Sequence, residues 1–255
     1  MSETVTRPLA QHLTMTGRSI RISSRNIDAV ITSLALPIMI MTIFVYFFGG
    51  AISTGQEYLT YVTPGVLVLC SGFGAASTAQ SVVGDMREGI IDRFRSMDVS
   101  GAAVLTGHTL ASTTRNLLST ALVLAFAFAI GFRPSATAAG WLAAAALLAS
   151  YILAISWLSA TFGLLAKSPE AAAGFTFFMT FLPYPSSAFV PVGTMPSWLH
   201  AFSEHQPVTP VIESLRGLLL GLPVGHTPWL ALAWCAGILA VSAAVSGALF
   251  RARTA

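Results

Sequence analysis

Six stretches of twenty or more residues hold most of the apolar side chains of this sequence: 29–50, 61–84, 103–131, 141–166, 171–192 and 228–250. Arg115, inside the third, is the one Asp, Glu, Lys or Arg that any of them contains. A bilayer core of roughly 30 Å is crossed by about twenty apolar residues in a helix. The pattern therefore predicts an all-α integral membrane protein with six transmembrane helices, the third long enough to begin outside the lipid. Composition points the same way, with 55% hydrophobic and 9% charged residues against about 25% charged in soluble domains.

The basic residues predict the orientation. If both termini are cytoplasmic, Arg7, Arg18, Arg21, Arg25, Arg87, Arg93, Arg95, Lys167, Arg251 and Arg253 lie inside, with Arg115 near the same interface. Only Arg133 and Arg216 then lie outside, as the positive-inside bias requires. Tyr58, Tyr61, Trp141, Trp198 and Trp229 fall near the predicted outer ends, where amphipathic rings favour the headgroup layer. The first 26 residues place arginines where a signal peptide would need an apolar core, so the first span is expected to stay in an inner (plasma) membrane protein. Residues 9–26 alternate Leu13, Ile20 and Ile22 with Arg18, Arg21 and Arg25, which reads as an amphipathic helix lying in the inner headgroup layer, or as a basic topogenic tail.

Several chemistries lose support. None of the ten acidic residues sits mid-span, whereas proton- or sodium-coupled carriers keep carboxylates there. His12, His108, His200, His205 and His226 are scattered, with no H-E-x-x-H helix, so no catalytic residue and no metal ligand is assigned. Cys70 and Cys235 read as packing residues. A phosphate-cradling loop is missing, since Lys167 follows Ala166. No cofactor is expected on this chain, nucleic acid is not an expected partner, and any pump driven by a nucleotide must hold it on another polypeptide.

Against this apolar background, GDMREGIIDRFRSMDVS (84–100) gathers Asp85, Arg87, Glu88, Asp92, Arg93, Arg95 and Asp98 into seventeen residues. As a helix it would line up Ile90, Ile91 and Phe94 as an apolar stripe. Glu88 and Asp92 would repel at four-residue spacing while Asp92 and Arg95 attract. A mixed-charge amphipathic helix suits a partner's groove; a solvated interspan loop is the alternative.

That segment, the FVYFFGG that ends the first span, the YVTPGVLVL that opens the second and AFVPVGTMPSWLHAFSEHQPVTPVIESLRGLLLG together resemble the permease subunits of type 2 ABC exporters, particularly the daunorubicin-resistance branch. The resemblance covers nearly the whole chain. It implies a single transmembrane domain over 1–255, with a connecting helix at 9–26 (Arg18, Arg21, Arg25), a cytoplasmic coupling region at 85–102 and an outer re-entrant segment at 191–227. By position, Arg87, Glu88, Gly89, Asp92, Arg93, Phe94 and Arg95 become the residues that couple to an ATP-hydrolysing subunit. It also implies two ABC ATP-binding subunits carrying ATP and Mg, a second permease copy or a sibling permease, and contact with membrane lipid. Relatives commonly have Pro where this chain has Asp98, which could instead cap the following helix near Gly101.

Pro183, Pro185, Pro191, Pro196, Pro207 and Pro210 forbid one unbroken helix from 171 to 221. The expectation is a break near the outer face, a short helix started at Pro196, and a second in VIESLRGLLLG where Glu213 and Arg216 pair across three residues. The pair of helices would roof a substrate exit or simply seal the outer face. Phe73, Phe126, Phe128, Phe175, Phe177 and Phe178 are candidates for an aromatic substrate path, with core packing the alternative for each. Small residues in CSGFGAASTAQS predict close helix approach in the second span. Drug or antibiotic export is the expected function, a lipid or polysaccharide exporter of the same superfamily the alternative, and an ATPase-independent channel or scaffold the alternative of another class.

The orientation is checked by fusion reporters. A cytoplasm-active reporter joined after Ala255 should be active, and a periplasm-active one inserted at Ser135 should be active. The opposite pair of results would invert the topology.

Overall fold

The computed structural model describes residues 27–88, 101–166 and 168–254. Within them the secondary structure is helical throughout. Helix α1 (Ile27–Ile43) runs on into a π-helical turn, Phe44–Phe48, and is followed by α2 (Tyr58–Arg87) and α3 (Gly101–Ala129). Then come α4 (Ala138–Leu165), α5 (Pro169–Phe181), a 3-10 turn (Val192–Thr194), α6 (Ser197–His205), α7 (Val208–Leu220) and α8 (Thr227–Thr254).

The six apolar windows fall on α1 with its π turn, α2, α3, α4, the α5 region and α8. Among the described residues, α2, α4 and Thr227–Leu249 of α8 are each long and apolar enough to cross a membrane. Helix α3 is as long, but carries Arg115, Asn116 and several hydroxyl side chains. The fifth window is not one helix. Helix α5 ends at Phe181 and residues 182–190 run as turns, because Pro183 and Pro185 have no N–H to continue the ladder. Helices α6 and α7 follow as expected, with Pro196 before α6 and Gly221 closing α7 in the left-handed conformation at φ 65°. The connecting region 9–26, with Arg18, Arg21 and Arg25, and the coupling residues Gly89, Asp92, Arg93, Phe94 and Arg95, together with Asp98, lie outside the described residues.

Helix α2 is the centre of the bundle. It packs against α1, α3, α4, α5 and α7, and its apolar stretch is 76% buried, against 33% for α4 and 22% for α8. Val62, Val66, Val68 and Leu69 are wholly enclosed. The outer helices turn Leu142, Trp229, Leu230 and Val241 outward instead, as befits a wall that faces hydrocarbon.

Close approach rests on small residues, because apolar burial gives little drive for helix association within lipid. A Cβ on Gly65 would stand 2.7 Å from Ala188, one on Gly163 would stand 2.7 Å from Ala79 O and Val82, and the place of a Cβ on Gly74 is taken by Asn116. Hydroxyls sew the same seams. Thr78 donates to Ser112 (2.5 Å) and Ser112 to Ser156 (3.1 Å), joining α2, α3 and α4. Thr161 donates to Ser242 O (3.1 Å), and Trp157 to Ser246 (3.3 Å), tying α4 to α8. Cys70 and Cys235 are buried in this packing.

Gly65→Ala should lower stability by roughly 1–3 kcal/mol, the usual cost of overpacking, read as a drop in the detergent unfolding temperature. Gly84→Ala, whose Cβ would meet nothing within 4 Å, is the control and should lose none.

Candidate functional site

Helix α2 leaves the bundle through its charged end. Arg87 and Glu88 are exposed there, on the last helical residue and its C-cap. One turn earlier Asp85 is partly buried, and its Oδ2 lies 3.0 Å from His108 Nε2 on α3. Helix α5 starts at the same end: Ser168 caps it by accepting from Ala171 N (3.3 Å), and Pro169 occupies its first turn. Glu170 stands beside it, fully exposed. Its carboxyl is held below the ordinary carboxylate range by the Ser168 hydroxyl and by backbone N–H, with attraction from Arg87 adding to both. Arg87 and Glu88 are thus presented as a surface, while Asp85–His108 braces the helices beneath them. The His108 contact is invisible to spacing arguments, since it joins residues 23 apart on two helices.

The aromatic candidates divide. Phe73, Phe126 and Phe128 pack against the buried core, Phe128 within 6.1 Å of the Trp141 ring and 5.7 Å of Phe132. Phe175 and Phe178 instead line a groove of about 650 Å³ between α4 and α5, with Leu158, Phe162, Leu165 and Met179. Phe162 stacks on Phe175 at 3.6 Å. Phe177 is exposed on another side of α5, against Phe181 at 4.3 Å. A second apolar cavity, about 170 Å³, lies between α2, α3, α4 and α7 beside Trp141, Leu67 and Leu215. Halfway along α3, Arg115 reaches across to α2, donating to Ser77 Oγ (2.6 Å) and Gly74 O (3.3 Å).

At the far end of the bundle the turns of 182–190 bring three carbonyls to three side chains. Tyr58 donates to Phe189 O (2.9 Å), Arg216 Nη2 to Ser187 O (2.7 Å), and Gln206 to Pro185 O. Arg216 does more. Its Nε and Nη2 also donate to Tyr61 O at 3.2 and 3.1 Å, and Nη1 donates to Glu213 at 2.7 Å. The guanidinium carbon sits 3.7 Å above the Tyr61 ring. The expected Glu213–Arg216 contact is therefore present, but the arginine is 5% exposed and its other partners belong to α2 and the turns. Nothing in the local sequence identified Tyr58, Tyr61 and Gln206 as members of this cluster.

A helical membrane bundle of this kind, with apolar grooves and a charged end, is matched over residues 10–220 by the ABC-2 type transporter family, and the chain belongs to that family. It is similar to the daunorubicin resistance ABC transporter permease protein DrrB1 of Streptomyces coeruleorubidus, with 29% identity over 228 residues, 89% of this chain and 81% of that protein. It is also similar to the probable doxorubicin resistance ABC transporter permease protein DrrC of Mycobacterium tuberculosis, 26% identical over 243 residues, 92% of this chain and 86% of that protein.

Arg216→Lys should destabilise the protein by about 1–3 kcal/mol, because an ammonium lacks the planar fork that serves Tyr61 O and Ser187 O together and leaves a buried carbonyl unpaired. Arg216→Met should cost more, roughly 2–5 kcal/mol, since it leaves both Tyr61 O and Ser187 O without a donor, while the half-exposed Glu213 adds little. Detergent thermal unfolding measures both. A lysine variant as stable as the parent would show that the fork holds nothing.

Proposed function

We propose that the chain is the membrane-spanning permease subunit of an ATP-driven ABC exporter, moving a hydrophobic or amphipathic substrate, a drug or antibiotic by preference, out of the cell. Two permeases, identical or siblings, assemble with two ABC ATP-binding subunits that carry ATP and Mg, while this chain performs no hydrolysis. It is one transmembrane domain of six spans in the inner membrane, with both termini cytoplasmic. Membership of the ABC-2 type transporter family and the names of the relatives support this reading.

The observation that carries it is geometric: α2, the helix most enclosed by others, opens directly into exposed Arg87 and Glu88. In this reading residues 85–102 are the contact with the ATPase, and Gly89, Asp92, Arg93, Phe94 and Arg95 extend it. Arg18, Arg21 and Arg25 border it from the connecting helix. A push there is delivered to a helix that touches five others and is the most enclosed of them. Substrate is held by apolar and aromatic surface, with the groove at Phe175 and Phe178 its clearest portion, while Phe177 on another side of α5 and Phe73, Phe126 and Phe128 at the core serve other parts of the path. The outer segment 191–227 re-enters the outer leaflet, braced by Glu213 and Arg216, and roofs the exit.

Purification of the chain from its own host in mild detergent, with mass spectrometry of the stoichiometric partners, tests this. A soluble P-loop ATPase should arrive with the parent chain. The double reversal Arg87→Glu/Glu88→Arg should insert normally yet retain at least about tenfold less ATPase, as expected where close charge pairs set an interface. A solitary parent chain in several detergents would remove the exporter reading.

A further inference from the structure

Asp85 lies two residues before the end of α2 and His108 in the second turn of α3, so the pair spans the two stems of the charged segment between them. The His108 and Asp85 side chains are 11% and 18% exposed, and the contact measures 3.0 Å. A carboxylate only accepts, so Nε2 of His108 carries the hydrogen and donates it to Asp85 Oδ2. Another polar tie between the two helices, Thr78 to Ser112, lies seven residues deeper along α2, or about 10 Å. Around the Asp85–His108 tie the stems also meet through an apolar cluster of Val82 and Leu105, completed by Leu164 of α4 and with Met86 and Leu249 against it. Apolar surfaces of this kind are non-directional and resist sliding poorly, whereas a hydrogen bond weakens steeply when bent or stretched.

We propose that Asp85 and His108 form a strut that makes the ends of α2 and α3 move as one body, and that they are positioning residues for energy coupling. The proposal rests on the reading of residues 85–102 as the ATPase contact. A load applied between the stems can be taken up in two ways. It can splay the two helix ends, in which case it dies within the first turns, or it can displace both helices together into the bundle. The strut ties α2 close to its end and α3 about 10 Å in from its own, at 1.5 Å per residue, so splaying cannot spread deeper into the bundle without breaking it. Neither residue needs to touch the ATPase for this, which separates their role from that of Arg87 and Glu88.

The test uses the full chain with its ATP-binding subunit in nanodiscs, compared without nucleotide and trapped with ATP and vanadate. Spin labels go on Gly84→Cys, whose Cβ meets nothing within 4 Å, and Leu110→Cys, an exposed site across the seam. A second pair, Gly84→Cys with Val245→Cys on α8, reports whether α2 moves at all. In the parent, the 84–110 distance should hold within about 2 Å, the scale of ordinary helix shifts, while the 84–245 distance changes. In Asp85→Ala or His108→Phe the 84–110 distance should widen and broaden on trapping, and the exchanged variant Asp85→His/His108→Asp should restore it. The exchange keeps both groups, so it decides the matter even if a truncated variant does not fold. Truncated variants whose 84–110 distance stays as narrow as the parent's, or an exchanged variant that splays, would overturn the strut alone. A parent that recruits no ATPase, or whose 84–245 distance never changes, would remove the coupling reading and the strut with it.

Discussion

The fold depends on how non-helical backbone is satisfied next to lipid. A helix meets its own hydrogen-bonding needs, but residues 182–190 do not form one, and each buried carbonyl left unpaired costs about 1–3 kcal/mol. Side chains from elsewhere take up that need. Tyr58 from α2, Gln206 from the α6–α7 junction and Arg216 from α7 each hold a carbonyl of the turns, at Phe189, Pro185 and Ser187. Arg216 is the member without substitute. Buried, it bridges the turns to Tyr61 O at the start of α2, with the aromatic ring beneath it and Glu213 balancing its charge. The break after α5, the placement of α7 and the seating of α2 are one arrangement, and it closes around a single guanidinium.

Much of the architecture is legible because lipid enforces simple rules. Apolar length marks the helices, proline marks the break at Phe181, and glycine marks the end of α7. The Glu213–Arg216 spacing also names its own contact, since residues three apart share a helix face. What escapes is whatever depends on rotation and register between helices. Arg216 binds a carbonyl 155 residues away and Asp85 binds a ring 23 residues away, and no local pattern encodes either. Helix α2 is buried on nearly every side, so its sequence shows no amphipathic stripe from which to read its neighbours.

The phenylalanines make the same point from the other side. By sequence, six of them are equivalent candidates for a substrate path, because an aromatic ring in a span looks the same whether it fills the core or lines a groove. Contacts separate them. Phe73, Phe126 and Phe128 lie against the core cluster, while Phe175 and Phe178 face the space between α4 and α5. The difference follows from the partners: α3 is pressed against α1, α2 and α4, whereas α5 is short, lies mainly along α2, and leaves its other flank open. Side-chain type sets what a surface can bind, and the packing of its helix decides whether there is a surface.

Two features at opposite ends are joined by α2. Tyr61, whose carbonyl and ring receive Arg216, and Asp85, which receives His108, stand 24 residues apart on the same helix, about 36 Å at 1.5 Å per residue. The helix between them is confined by close contacts at Gly65 and Gly74, and by the hydroxyl seam through Thr78. A rod so confined is held along most of its length, so a displacement at its charged end is carried toward Pro64 and the Tyr61 end. There it bears on the turns of 182–190, the part of the far end held by discrete hydrogen bonds to three other segments. Under the proposed function, this joins the ATPase contact to the roof of the exit through one helix, whose hydrogen-bond ladder is interrupted at Pro64, close to the Tyr61 end.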